Sequence, residues 1–242
     1  VGEVSIQRYV AGSTPERFVE VDAARLLLIL ARFAVPIDDK VRQLKCFPGH
    51  EVAHHFTPEY YLQKLDFLIR YPGYLAYELT ELHRLDVEAA RDREEIMGVI
   101  RSLLLGREPE LLTLPFRKFW RGAYERLDDV EAWWYARRLV YTVLEPKGNA
   151  RPQKRYFLTP LAETEAKRLV AGVEHARWYA ERVDLIHRFF GGLSATRVKE
   201  LQYSHEAYRQ AQLNENIPDL PAEEIVQNFA SVFSEALGVN LD

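Results

Sequence analysis

Residues 127–164 read LDDVEAWWYARRLVYTVLEPKGNARPQKRYFLTPLAET, and the order of patterns in this stretch decides the fold. Carboxylates at Asp128, Asp129 and Glu131 suit the positive end of a helix, so a helix opens at Leu127-Asp128 and runs through the paired tryptophans. Leu139 to Leu144 then reads as a strand and Arg155 to Leu158 as a second. The loop Glu145 to Lys154 between them holds Gly148-Asn149 and two prolines, which suits a hairpin tip and no regular element. Thr159-Pro160 supplies an N-cap and a proline at the first helical position. From there a long helix passes through Leu161, Ala166, Leu169 and Val173 to about Phe190, where Gly191-Gly192 stops it.

On the N-terminal side, a short strand at Val4 to Val10 is followed by a helix over Val21 to Phe33, ended by Pro36. Thr57-Pro58-Glu59 marks the start of a helix to about Arg70, with Thr57 as its cap; Tyr71-Pro72-Gly73 interrupts it before another helix through Leu75, Leu79 and Leu82. Helical stretches follow around Val87 to Leu105 and Phe116 to Arg126. On the C-terminal side, Ser194 starts a helix towards Tyr208, and a last amphipathic helix carries Ile225, Phe229, Val232, Phe233 and Leu237. The expected class is mainly α: a helical N-terminal region over 1–110, a hairpin-bearing centre over 111–170 and a helical C-terminal region over 171–242.

A chain of 242 residues, 48% hydrophobic and 28% charged, can bury a core and is neither disordered nor collagen-like. The single cysteine, Cys46, excludes an internal disulfide and a thiolate zinc cluster, which points to a reducing, cytoplasmic compartment. The longest apolar run, Leu26 to Ala31, is far short of the ~20 residues of a membrane span. No secretion signal is recognisable at the start of the sequence. A net charge of -4 gives no whole-molecule attraction to nucleic acid, so any DNA contact must be local.

Such a local patch exists. Between Phe116 and Arg155 the candidate DNA-contacting cations are Arg117, Lys118, Arg121, Arg137, Arg138, Lys147, Arg151, Lys154 and Arg155. Four of them, Lys147, Arg151, Lys154 and Arg155, lie on or beside the hairpin, where they could neutralise phosphates. Polar hairpin loops and strand-edge arginines also occur simply as protection against aggregation. Asp128, Asp129 and Glu131 oppose insertion of the preceding helix into a groove. Trp133, Trp134 and Tyr135, with Trp120 and Trp178, read mainly as core.

His50-Glu51-Val52-Ala53-His54 matches the His-Glu-x-x-His pattern, in which two imidazoles one helical turn apart bind zinc and the glutamate activates water. That chemistry needs a stable helix, and Pro48-Gly49 before the motif and Thr57-Pro58 after it leave room for barely two turns. A loop or a short helical turn near the surface is expected there instead; Glu78 or Glu81 could be a downstream carboxylate ligand at a plausible distance, but neither sits in the motif that the thermolysin-like family uses there. No phosphate-binding loop, dinucleotide turn or nucleophile elbow is present, and Cys46 reads as inert packing. The chain is expected to be no enzyme and to carry no cofactor.

Residues 111–170 resemble a winged helix, in their helices followed by a hairpin and by Tyr156-Phe157-Leu158-Thr159, which is similar to a "Tyr-x-Leu-Thr-x-x-Gly" phrase of that family; Ala162 stands at its glycine. The resemblance implies that the helix before the hairpin is a recognition helix and the hairpin a wing. Separately, Tyr60 to Leu75, with Leu65-Asp66-Phe67-Leu68 and Pro72, resembles the middle components of ABC three-component defence systems, of which Lamassu is one. This implies an accessory subunit that docks on an SMC-like ATPase and helps it sense or hold foreign DNA, with a separate nuclease subunit. The alternatives are a dimeric winged-helix transcriptional regulator, its interface on Thr159 to Phe190 or Glu223 to Leu237, and a zinc hydrolase through His50, Glu51 and His54.

Overall fold

Val19–Phe33 forms the first helix, α1, because Ala23, Leu26, Leu27, Ile29 and Leu30 recur at helical spacing and are all buried. The computed structural model describes residues 18–85, 93–105, 116–119, 122–148, 150–213 and 215–234. After α1 come β1 (Val35–Pro36), α2 (Asp39–Arg42), β2 (His54–Phe56), α3 (Glu59–Arg70), α4 (Pro72–Arg84), α5 (Arg93–Leu105), β3 (Arg117–Phe119) and β4 (Gly122–Tyr124). The chain continues through α6 (Asp128–Ala136), β5 (Val140–Lys147), β6 (Ala150–Leu158), α7 (Pro160–Gly172), α8 (Glu174–Phe190), α9 (Ala195–Ser204), α10 (Glu206–Gln210) and α11 (Ala222–Phe233). The protein is mainly α, with one four-stranded antiparallel sheet in the order β1-β2-β6-β5 and a two-stranded sheet of β3 and β4.

The regions 1–110, 111–170 and 171–242 divide the sequence by character. By packing, the described chain forms two units from non-contiguous segments: a hairpin unit from Glu16–Asp66 and Tyr124–His187, and a helical unit from Phe67–Ala123 and Arg188–Asp242.

In the hairpin unit, strand alternation sorts side chains to two faces of the sheet. Tyr141 and Phe157 share one face, where Val41 and Val52 pack on them together with Leu44 and Phe47. Tyr156 points to the other, where Trp134 of α6 meets it edge-on at 6.3 Å. The Trp134 indole N–H donates to the Ala23 carbonyl of α1 at 3.1 Å, so the one polar atom of a fully buried tryptophan is satisfied. Arg25 of α1 is buried, and its guanidinium donates to both Asp66 oxygens (2.5 and 3.1 Å) and meets Asp22 at 2.8 Å. Although burial opposes its charge, the two carboxylates hold its pKa above the ordinary arginine value.

The helical unit packs α4 against α5, α9 and α11. Gly73 permits the close approach of α11, since a Cβ there would stand 3.1 Å from the Ile225 side chain. Around Phe67 the rings of Tyr71, Tyr74, Phe116 and Tyr208 cluster, and their hydroxyls are used on backbone. Tyr71 accepts from the Phe116 N–H at 2.9 Å and donates to Ile217 C=O, while Tyr208 accepts from the Ala123 N–H at 2.7 Å.

Several elements differ from the sequence expectation. The helix expected over Phe116 to Arg126 is replaced by β3 and β4, since Phe119 and Tyr124 favour strands and Gly122 disfavours helix. The expected loop from Glu145 to Lys154 is largely strand: pairing continues to Lys147↔Ala150. Pro146 is tolerated because β5 is an edge strand whose register shifts there, and Pro152 because β6 pairs with β2 only from Tyr156 onward. The long helix expected from Thr159 to Phe190 breaks at Val173, which is extended after the helix-weakening Gly172. The helix from Ser194 likewise breaks at an extended His205. Thr57 does not cap α3; its hydroxyl donates to the Lys154 carbonyl and accepts from the Gln153 amide. The expected strand at Val4 to Val10, the helical start at Val87 and the end of the last helix at Leu237 lie outside the described residues.

Candidate functional site

The helix, hairpin and helix of residues 128–172 meet at the end of α6. Arg138 there has φ 56°, in the left-handed region, and its N–H donates to Tyr135 C=O while the Leu139 N–H donates to Trp134 C=O, both at 3.0 Å. These bonds close the helix and turn the chain into β5. At the far tip, Gly148 takes the left-handed conformation (φ 56°) that glycine adopts without steric cost.

The structure separates the nine candidate cations. Arg117 and Lys118 lie on β3 in the helical unit, and Arg121 lies outside the described residues. The other six belong to the hairpin unit, and two of those are taken internally. Lys154 bridges Glu59 of α3 (3.1 Å) and Glu131 of α6 (2.9 Å); burial opposes its charge, but the two carboxylates lift its pKa above the ordinary lysine value. Buried Arg155 donates twice to Glu145, at 3.1 and 2.7 Å. Lys147 also meets Glu145, at 3.0 Å, and these donors hold that carboxyl below its usual range although burial pushes the other way. Arg137 is exposed and stacks over the Trp133 ring, 3.8 Å from its centroid. Arg138 and Arg151 are exposed and have no acidic partner among the described residues.

Arg155→Ala should therefore destabilise the protein by about 2 kcal/mol in urea denaturation, because buried Glu145 loses two charge-assisted hydrogen bonds and keeps only Lys147 as a charged donor. Arg151→Ala should stay within about 0.5 kcal/mol of wild type.

His55 completes this network, with its Nδ1 2.7 Å from Arg155 Nη1. Since the guanidinium can only donate, Nδ1 accepts and the ring is neutral. Burial first, and then the Arg155 charge, hold its pKa below the ordinary histidine value. The unfolded chain thus takes up this proton first, near pH 6.5. The contribution of His55 to stability is complete above that pH and falls as the pH drops from there towards the lower folded value. Thermal denaturation at a series of pH values should show a decline below about pH 6.5 that is smaller in His55→Asn.

The His-Glu-x-x-His stretch is not a helix. Residues 51–53 are irregular and His54 begins β2, so His50 and His54 lack the one-turn spacing that zinc chemistry needs. His50 stacks on Tyr141, with ring centroids 4.1 Å apart, and His54 contacts the Glu163 carboxylate of α7. Glu78 and Glu81 lie on α4 of the helical unit, and Cys46 is half-buried and free. Among the described residues no group of three or more His, Cys, Asp or Glu side chains could hold a metal ion.

Trp134 is core, as expected, whereas its neighbours on α6 are not enclosed: Trp133 is half-buried and Tyr135 is 61% exposed. They border two clefts that share Leu161 of α7. One, of about 380 Å³, has Ala24, Leu27, Trp133, Leu139 and Leu169 on its walls. The other, of about 690 Å³, is more polar, with His50, Glu51, Arg138 and Thr159 beside Tyr135 and Tyr141. Leu161, 44% exposed, stands between them. The sequence signal for this face was the apolar spacing of α7, whose outward members only the tertiary structure identifies.

No family model, curated protein or solved structure matches the chain. No helix among the described residues is long and apolar enough to cross a membrane.

Proposed function

We propose that the chain is a non-enzymatic accessory subunit whose hairpin unit is a winged helix used to dock a protein partner. In this reading α1, β2, α3 and α6 precede the wing β5–β6, and the sheet order β2-β6-β5 is the one a winged helix requires. The observation that carries docking is the face around Leu161, where Tyr135, the Trp133–Arg137 stack, a mainly apolar cleft and a mixed polar and aromatic one adjoin. An exposed tyrosine and arginine with a half-buried tryptophan beside a cleft have the composition of an interface hot spot. The resemblance of Tyr60 to Leu75 makes the partner an SMC-like ATPase of a DNA-sensing antiviral complex, with a nuclease as its third subunit.

The same geometry argues against the wing as the main DNA contact. Lys154 and Arg155 are already neutralised, and the first turn of α6 carries three carboxylates, Asp128, Asp129 and Glu131. Direct DNA contact is left to Arg137, Arg138, Lys147 and Arg151.

The test is co-purification of the full chain with a co-expressed SMC-like ATPase, comparing wild type with Leu161→Glu. Loss of at least about tenfold in affinity, with an unchanged melting temperature, is expected. Retention of the partner by Leu161→Glu would sink the docking reading. Fluorescence anisotropy on a generic duplex, with Arg137, Arg138, Lys147 and Arg151 changed to Ala as the comparison, tests DNA. Weak binding that vanishes at physiological salt is expected; tight, salt-steep binding lost in the variant would favour a DNA reader. Gel filtration of the free chain as a dimer would favour the regulator.

A further inference from the structure

β5 is a terminal strand of its sheet. The Thr159 N–H donates to Leu139 C=O at 3.0 Å, and the register continues through Val140↔Leu158, Tyr141↔Phe157, Thr142↔Tyr156 and Val143↔Arg155. Antiparallel pairing alternates, so Tyr141 and Val143 bond to β6 while Val140, Thr142 and Leu144 turn their N–H and C=O groups outward. None of these outward groups has a hydrogen-bond partner among the described residues.

Exposed edges are normally blunted by proline, bulges or charge. Here that protection sits at the far end only, where Pro146 and the register shift between Glu145 and Lys147 interrupt the ladder. Val140 to Leu144 carries none of it, and Leu144 is 61% exposed. The Thr142 hydroxyl is buried without a hydrogen-bond partner, in the middle of the open stretch.

Charge selects the occupant. Exposed Arg137 and Arg138 precede the open stretch and exposed Lys147 follows it; the carboxylate within β5, Glu145, is shared by Arg155 and Lys147, two cations to one carboxylate, so that end also keeps net positive charge. A second copy pairing antiparallel on this edge would bring Arg138 of one chain towards Lys147 of the other, a like-charge arrangement. A strand with an apolar centre and acidic ends meets opposite charge at both ends.

We propose that β5 is a strand-addition site, at which Val140 to Leu144 takes up an extended, acidic-ended segment of the protein partner. This rests on the docking reading above and specifies one part of how the partner is held.

The probe is a fluorescent synthetic peptide with a Val-Thr-Val-Thr-Val centre and Asp at both ends, added to the full chain. Hydrogen exchange should slow at the Thr142 and Leu144 amides and stay unchanged at Tyr141 and Val143. Thr142→Pro deletes an outward N–H without removing a bond to β6, and should weaken peptide binding about tenfold while Thr142→Ser binds as wild type. Three results overturn the proposal, and none depends on a variant that must fold. They are unchanged exchange at saturating peptide, equal binding of a Lys-ended peptide, and concentration-dependent protection of these amides in the chain alone, which marks a second copy. Normal peptide binding by Leu161→Glu, together with loss of the ATPase, separates this site from the Leu161 face.

Discussion

Asp66→Ala is expected to lower stability by about 3–5 kcal/mol in urea denaturation, mainly through the charge it strands. Arg25 is 2% exposed and gives Asp66 two charge-assisted hydrogen bonds, so removing that carboxylate leaves a guanidinium buried with Asp22 as its remaining acidic contact. The cost is mainly that of the stranded charge rather than of the lost attraction. Asp22→Ala should cost less, because the bidentate partner stays in place. The double change Arg25→Met with Asp66→Leu should recover much of the loss, since apolar groups of similar size need no compensation. A loss below about 1 kcal/mol for Asp66→Ala would mean that water reaches the guanidinium.

Trp134→Ala is expected to cost about 3–5 kcal/mol, combining a cavity at a fully buried site with the loss of the tie between α6 and α1. Trp134→Phe isolates the second part. It keeps most of the ring volume and removes the indole's tie to the Ala23 carbonyl, which keeps its helical bond within α1, for about 1 kcal/mol. By contrast Trp133→Ala and Tyr135→Ala should each change stability by less than about 1 kcal/mol, since neither is enclosed. Their expected effect is on the partner, whose affinity should fall in the pull-down that tests Leu161. Equal destabilisation by all three would show that the aromatic run is one core cluster with no docking role.

The contrast within Trp133-Trp134-Tyr135 also shows where sequence reasoning reaches its limit. Three adjacent aromatics on a helix point in three directions, and which one is buried depends on where α1 and β6 lie. Lys154 and Arg155 teach the same point. Read along the chain they are adjacent cations beside a hairpin, yet strand alternation sends them to opposite faces of the sheet. One finds Glu59 and Glu131, the other Glu145 and His55, and the distance in sequence to Glu59 gives no local trace of the pairing. The His50 to His54 stretch was legible in the negative sense: too little room for a helix between Pro48 and Pro58 anticipated the irregular backbone of residues 51–53, while the strand that begins at His54 gave no local sign.

What the sequence by itself determined is the set of local decisions. Periodicity and capping residues place α1, α3, α4, α6, α7 and α11, and the turn residues at Gly148-Asn149 place the hairpin, because these signals act within a few residues of the element they specify. What only the tertiary structure decided is the fate of each side chain and edge: which aromatic of α6 is enclosed, the capture of Lys154 by Glu59 and Glu131, and the open outer edge of β5. Each of these depends on burial, ion pairing or strand pairing with residues tens of positions away, and no window along the chain contains both partners.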